Sequence, residues 1–341
     1  QHLSSGILRH KKQRIPFSGL SADCYFFYFT SNLYFCETYI FAMWIIPAFI
    51  SASLLGLYDV FKKISLSGNA VLPVLFLNIF FCCLLLSPVV ILSCFFPDTL
   101  RNTAFFLSSI PLSDHTLLLL KAVIVLSSWT FAYFAIKHLP LTIASPIKAT
   151  QPVLTLTGAV YLFGERLNLW QWAGISLAIV SLYLLSWNGK REGIRFSRNK
   201  WILFMVLAIL SGALSGLYDK FLLTRIDRMN VQIWFNFYQL LLMGGIVLLL
   251  WYPGRKHTTP FRWKWSIPFI SLFLVLADFA YFYALSRANA MISVISLVRR
   301  SGVIVTFVAG AILFREKNLK AKFIDLVLVI TGMLLIYQGT E

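Results

Sequence analysis

Lys148, Asp278, Arg299 and Arg300 each stand inside a long apolar run of the chain. A charge in hydrocarbon persists only where it is paired, hydrated or holds a ligand. At 1.5 Å per helical residue, Lys148 lies roughly 10 Å along its run from Leu141, and Arg299 about 12 Å from Met291, too far for either to pass as a loop residue. Guanidinium forks suit carboxylate and phosphate bidentately, and an ammonium adds a point charge. Asp278 can neutralise one of the arginines, but one aspartate cannot balance three cations. The pattern leaves two readings: an anionic ligand held by the remaining charge, or cations paired internally around a neutral or zwitterionic one.

The spacing around these charges is repeated. Aligning Phe163 with Phe314 sets Ser145, Lys148 and Thr155 against Ser296, Arg299 and Thr306, and offsets of three and ten residues keep each trio on one helix face. Both stripes are expected to reach a common cavity, with Gln151 beside the first. Pro146 and Pro152 bracket Lys148, and each removes a backbone donor, as in a broken helix that lines a site. Tyr133, Tyr281 and Tyr283 are expected to offer hydroxyls to the same cavity, together with the indole of Trp129. Asp59 and Asp219, followed by Lys62, Lys63 and Lys220, read as partners of those lysines at the membrane interface. No nucleophile elbow, paired intramembrane aspartates or phosphate-cradling glycine loop is present in the sequence, so the reading is not an enzyme, with no cofactor and no metal. The five cysteines show neither metal-ligand nor disulfide-framework spacing.

Such charges need apolar elements to position them, and 59% of the 341 residues are hydrophobic against 13% charged. A net charge of +17 would fit nucleic acid only if it formed a patch; here Lys and Arg punctuate apolar runs, and no nucleic-acid partner is implied. The runs read as spans at about 41–61, 70–95, 117–136, 141–163, 169–187, 201–222, 231–251, 266–286, 291–313 and 322–338. Ser51-Ala-Ser-Leu-Leu-Gly-Leu-Tyr-Asp59 recurs as Ser211-Gly-Ala-Leu-Ser-Gly-Leu-Tyr-Asp219, Phe131-Ala-Tyr-Phe134 as Phe279-Ala-Tyr-Phe282, and Phe163-Gly-Glu-Arg166 as Phe314-Arg-Glu-Lys317. A unit of five spans is odd, so its second copy must enter the bilayer upside down. The fold class expected is therefore an all-α polytopic membrane protein of ten transmembrane helices in two inverted five-helix repeats. Its divisions are a poorly structured arm at 1–40, a first repeat at 41–187, a basic linker at 188–200 and a second repeat at 201–338. Gly212 and Gly216, matched by Ala52 and Gly56, form small-xxx-small faces for close helix approach.

These repeats, the polar residue ending the first span of each, and Glu165 and Glu316 after apolar runs resemble the drug/metabolite transporter superfamily, specifically its EamA-type members. The resemblance covers residues 43–338 and implies a secondary transporter of a small molecule. Ile147-Lys148-Ala149-Thr150-Gln151-Pro152, with Arg299-Arg300, also resembles the sugar-phosphate/phosphate translocators. In that branch a fourth-helix lysine and a ninth-helix basic pair hold phosphate, which implies the same for Lys148, Arg299 and Arg300. The present chain has Arg where that branch has Lys first in its pair, and Gln151 where an acid often stands. The expected function is alternating-access transport of a phosphorylated or carboxylated metabolite. The alternatives are an exporter of neutral or zwitterionic metabolites such as amino acids, and a non-transporting scaffold. The bilayer and the small molecule are the partners expected, and a bacterial inner membrane the location. Sixteen Lys and Arg in the loops after odd-numbered spans, against six in the others, predict both termini away from the cytoplasm; the resemblance implies the reverse for many relatives, and both orientations stay open.

Overall fold

The computed structural model describes residues 46–339 apart from 101–102, 104, 155–167, 192–197, 287–294, 296–297 and 317. Its described residues are helical with short connections. The first repeat comprises α1 (46–66), α2 (Val71–Phe95), α3 (Leu112–His138), α4 (Leu141–Ala149, resuming over 151–154) and α5 (Leu169–Arg191). The second comprises α6 (Lys200–Leu223), α7 (Arg228–Ile246, drawn out by a π-helical turn Val247–Trp251), α8 (Ser266–Leu285), α9 (Gly302–Ile312, preceded by a turn at 298–300) and α10 (Leu319–Gln338).

Among the described residues, five stretches are long and apolar enough to cross a bilayer by themselves: Val71–Phe95, Leu112–His138, Lys200–Leu223, Arg228–Gly254 and Ser266–Leu285. At 1.5 Å per residue even the shortest, 20 residues, spans about 30 Å. α4 is interrupted at Thr150, whose amide and hydroxyl return to the Ile147 carbonyl at 3.2 and 2.7 Å. The break lies between Pro146 and Pro152, where the missing donors open the backbone ladder.

Local chemistry sets the helix ends. Asn199 and Asp227 accept the amides of Trp201 and Met229 at 2.9 and 3.0 Å, capping α6 and α7. At the other ends lysines serve the orphan carbonyls. Lys63 donates to Ile136 and Leu139 at the end of α3, at 2.7 and 2.6 Å. Lys264 donates to Ile64 and Ser67 at the end of α1, at 2.8 and 2.6 Å.

These contacts also fix direction. Lys63 ties the end of α1 to the end of α3. Arg225, just past the end of α6, lies 3.8 Å from Asp114 in the first turn of α3, and the Tyr218 hydroxyl donates to Leu117 there. The two equivalent helices α1 and α6 therefore run oppositely along α3, as inverted repeats require.

Packing follows the same symmetry. α2 packs on α7, α4 on α9 and α5 on α10, each with its repeat mate, while α3 against α7 is mirrored by α8 against α2. α3 lies along α6, where Ser128 donates to the Ala208 carbonyl at 2.7 Å. In the mirrored helix pair, α8 with α1, a serine also bridges, but with the donor on the other partner: Ser51 of α1 donates to the Ala277 carbonyl of α8, again at 2.7 Å.

Candidate functional site

Between the repeats lies a cavity with about 1080 Å³ of empty space, its open mouth included, walled by α1, α3, α4, α6, α7, α8 and the turn before α9. A smaller cleft of about 310 Å³ adjoins it, sharing Leu55, Lys148, Arg299 and Arg300. The wall mixes apolar and polar side chains, Met205, Ile209 and Leu274 among the former and Lys62, Lys121 and Gln151 among the latter.

Three carboxylates serve this space. Asp59, 6% exposed, accepts from Lys62 at 2.6 Å and from Lys148. Asp219, 5% exposed, accepts from Lys121 and from the Tyr281 hydroxyl at 3.4 Å. Asp278 accepts from Arg299. The rings of the wall complete the cation environment: the Arg299 guanidinium lies 4.0 Å from the Tyr281 ring centre, and the Lys62 ammonium 4.1 Å from that of Tyr58.

Arg300 is placed differently. It borders both the cavity and the cleft, no carboxylate among the described residues lies within ion-pair distance of it, and its buried Nε has no hydrogen-bond partner. Among the described residues, five cations, Lys62, Lys121, Lys148, Arg299 and Arg300, thus face three carboxylates, an excess of two positive charges. At an effective dielectric near 20, one unpaired cation attracts an anion 4 Å away by about 4 kcal/mol before desolvation. The arrangement can hold an anion.

Of the residues singled out from sequence, Lys148, Gln151, Asp278, Tyr281, Arg299 and Arg300 line the cavity together. Ser145 lines the adjoining cleft with Asp59. Three others do not reach either space. Tyr133 is fully buried in the apolar core, one turn beyond the cavity-lining Trp129, and its ring lies 5.1 Å from the Lys62 ammonium. Tyr283 follows Tyr281 by two residues, about 200° around the helix, and packs under the Arg228 guanidinium at 4.9 Å. Thr306 returns its hydroxyl to the Gly302 carbonyl one turn back, at 3.2 Å. Thr155 and Ser296 lie outside the described residues.

Asp59, Asp219 and Lys62 were expected at the interface and are instead buried at the cavity. The reason is that cations from other helices meet them inside the bundle, Lys148 of α4 at Asp59 and Lys121 of α3 at Asp219. Lys121 was missed altogether. It sits inside the apolar run 117–136, and the rule that flagged Lys148 applies to it equally.

The small-residue faces are also unequal. A Cβ on Gly56 would lie 2.5 Å from that of Val305 and 2.7 Å from the Gly302 carbonyl, so α1 and the start of α9 touch backbone to backbone. At the equivalent Gly216 nothing lies within 4 Å, and that residue borders the cavity. Gly212 faces the Gln151 side chain, at 3.0 Å from a built Cβ to its amide oxygen.

Comparison with known proteins agrees with this architecture. One of 28 solved chains similar to this one, described as the crystal structure of a protein, is 15% identical, with a TM-score of 0.59 over 86% of this chain and 97% of its own. That likeness concerns the fold alone. No curated protein matches the sequence. The family model of EamA-like transporters matches residues 42–187 and again 199–338, one match per repeat. A chain matched in both halves by a transporter model, carrying helices fit to cross a bilayer, is a multi-pass membrane protein that belongs to the EamA-like transporter family.

Proposed function

We propose that this chain is a secondary transporter that moves a small anionic metabolite, phosphorylated or carboxylated, by alternating access of the central cavity. The observation that carries the reading is Arg300, a guanidinium at the cavity wall with no carboxylate of its own, beside a cation excess of two. The anion takes Arg300 bidentately, with Lys148 and Arg299 adjusting toward it from Asp59 and Asp278, and Gln151 and Tyr281 as neutral donors. In this reading all ten helical segments cross the membrane, as two five-helix repeats of opposite topology, and a bacterial inner membrane is the location.

A second reading draws on the pairing of Lys148 with Asp59 and of Arg299 with Asp278. With those cations satisfied internally, a neutral or zwitterionic metabolite such as an amino acid is the cargo, and Arg300 meets its carboxylate. Thermal-shift screening of the purified protein separates the two, followed by counterflow in proteoliposomes. Stabilisation and exchange by phosphorylated or carboxylated compounds of net negative charge support the first reading. Response to zwitterions alone overturns it.

A further inference from the structure

Outside the cavity, four buried side-chain amides lie on two of three helices that pack together. α2, α7 and α8 pack against one another, and these helices bury Asn78, Gln232, Asn236 and Gln239, none more than 3% exposed. The three α7 amides stand at i, i+4 and i+7 and so form one stripe. Neighbours satisfy them only in part. Ser271 donates to the Asn78 carbonyl at 2.9 Å and contacts its Oδ1 at 3.1 Å; Gln232 Nε2 donates to the Val275 carbonyl at 3.0 Å; Asn236 Nδ2 donates to the Gln232 carbonyl at 2.7 Å.

Asn78 Nδ2, Gln232 Oε1, Asn236 Oδ1 and both polar atoms of Gln239 remain buried without a partner. An unpaired buried amide is expensive, and lipid offers nothing to pair with it. The chemistry of these atoms selects the guest. Two are amide donors and three are carbonyl acceptors, so a cation would face N–H groups and an anion would face oxygens. Water donates and accepts, and typical internal waters make about three such bonds.

We propose that the junction of α2, α7 and α8 binds a file of internal water along the Gln232, Asn236 and Gln239 stripe. Seven residues rise roughly 10 Å, enough for about three or four molecules at hydrogen-bond spacing. On α8, Ser271, Val275 and Asp278 follow at i, i+4 and i+7, so the same wall leads to the cavity carboxylate. The file gives the polar bundle interior water that does not depend on the cargo site.

Radiolytic hydroxyl-radical footprinting of the purified protein in nanodiscs tests this, because radicals born from bound water oxidise the side chains beside it. Met243, fully buried and one turn from Gln239, reports on the file. Met205, equally buried but bordering the cavity, is the wet reference. Met333, 2% exposed in an apolar cluster with Val303 and Phe307, is the dry one. The expected result is oxidation of Met243 at a rate near that of Met205 and at least tenfold above that of Met333; a rate equal to that of Met333 overturns the proposal. In a folded Gln239→Leu variant the Met243 rate falls toward the dry value, and an unchanged rate removes the water from this stripe. The wild-type comparison decides alone if that variant does not fold.

Discussion

Arg299 pairs with Asp278, whereas Lys148, its counterpart in the other repeat, pairs with Asp59. Asp59 and Asp219 are themselves counterparts, so repeat equivalence would join Arg299 to Asp219. That pair is absent. Asp219 takes Lys121 instead, and Tyr281 stands between the two groups, its hydroxyl toward Asp219 and its ring against the guanidinium. The first repeat thus ties its first helix to its fourth, and the second repeat ties the equivalent groups elsewhere. The glycines carry the same inequality, with Gly56 pressed on α9 and Gly216 facing open space. Two copies of one unit holding different arrangements is the condition that the proposed exchange of conformations needs.

Arg300→Ala is expected to weaken anion binding by about 10- to 100-fold. A hydrogen bond to a charged group contributes about 1.5–3 kcal/mol, and 1.4 kcal/mol is tenfold in affinity. Arg300→Lys keeps the charge but loses the fork, so it recovers part of the affinity. The concentration dependence of uptake into proteoliposomes measures both. Wild-type affinity in the alanine variant removes Arg300 from the site.

Asp59→Asn leaves Lys62 and Lys148 sharing no carboxylate, with the Lys62 side chain only 2% exposed. Breaking a buried pair from one side costs about 3–5 kcal/mol, most of it the stranded charge. The variant is expected to melt well below the wild type, and adding Lys62→Met should restore part of the loss, because the coupled positions are not additive. Thermal unfolding followed in detergent reads the difference. Equal losses with and without the second substitution would show that the cation was never stranded.

How much of this was legible in the residues follows from what each inference needed. The duplicated Gly-Leu-Tyr-Asp and the intramembrane cations are local facts, and they pointed to the repeat and to the cavity. Partner choice is not local. Lys148 meets Asp59 across 89 positions, and Lys121 meets Asp219 across 98, which only the packing of α4 on α1 and of α3 on α6 decides. Side-chain direction was legible only within a turn. Tyr281 and Tyr283 look alike in sequence, yet two residues of helical rotation send one to the cavity and the other under Arg228.

Gly302→Ala and Gly216→Ala are expected to behave oppositely, although both place a methyl on a helix. At Gly302 the new Cβ would overlap the Ala52 carbonyl oxygen. That atom is backbone, so the helices must part, and loss of folded protein or of transport should follow. At Gly216 nothing stands within 4 Å, and helix propensity alone favours alanine by about 1 kcal/mol. Expression and thermal midpoint compare the two directly; a tolerated Gly302→Ala would show that the α1 contact is not close.

Glu316 follows α9 in the second repeat, yet its carboxylate works in the first. It accepts the Leu141 and Thr142 amides at 2.7 and 2.8 Å and the Thr142 hydroxyl as well. The residue preceding α4 is Pro140, which provides no side-chain cap, so a carboxylate from across the bundle fills the role that an N-cap residue usually has. The Lys322 ammonium donates to the same Thr142 hydroxyl at 2.9 Å, holding the cluster from α10. Lys148 follows Leu141 by seven residues, two turns along the same short helix, so this cap also sets where that ammonium points. Glu316→Gln keeps one acceptor and loses the charge, which should cost about 1–2 kcal/mol and lower the melting temperature by a few degrees. Because opening of the first turn then becomes easier by that amount, hydrogen exchange at Leu141 and Thr142 should quicken roughly tenfold while α6 amides keep their rates. Unchanged exchange at those two amides would mean that α4 is held from elsewhere.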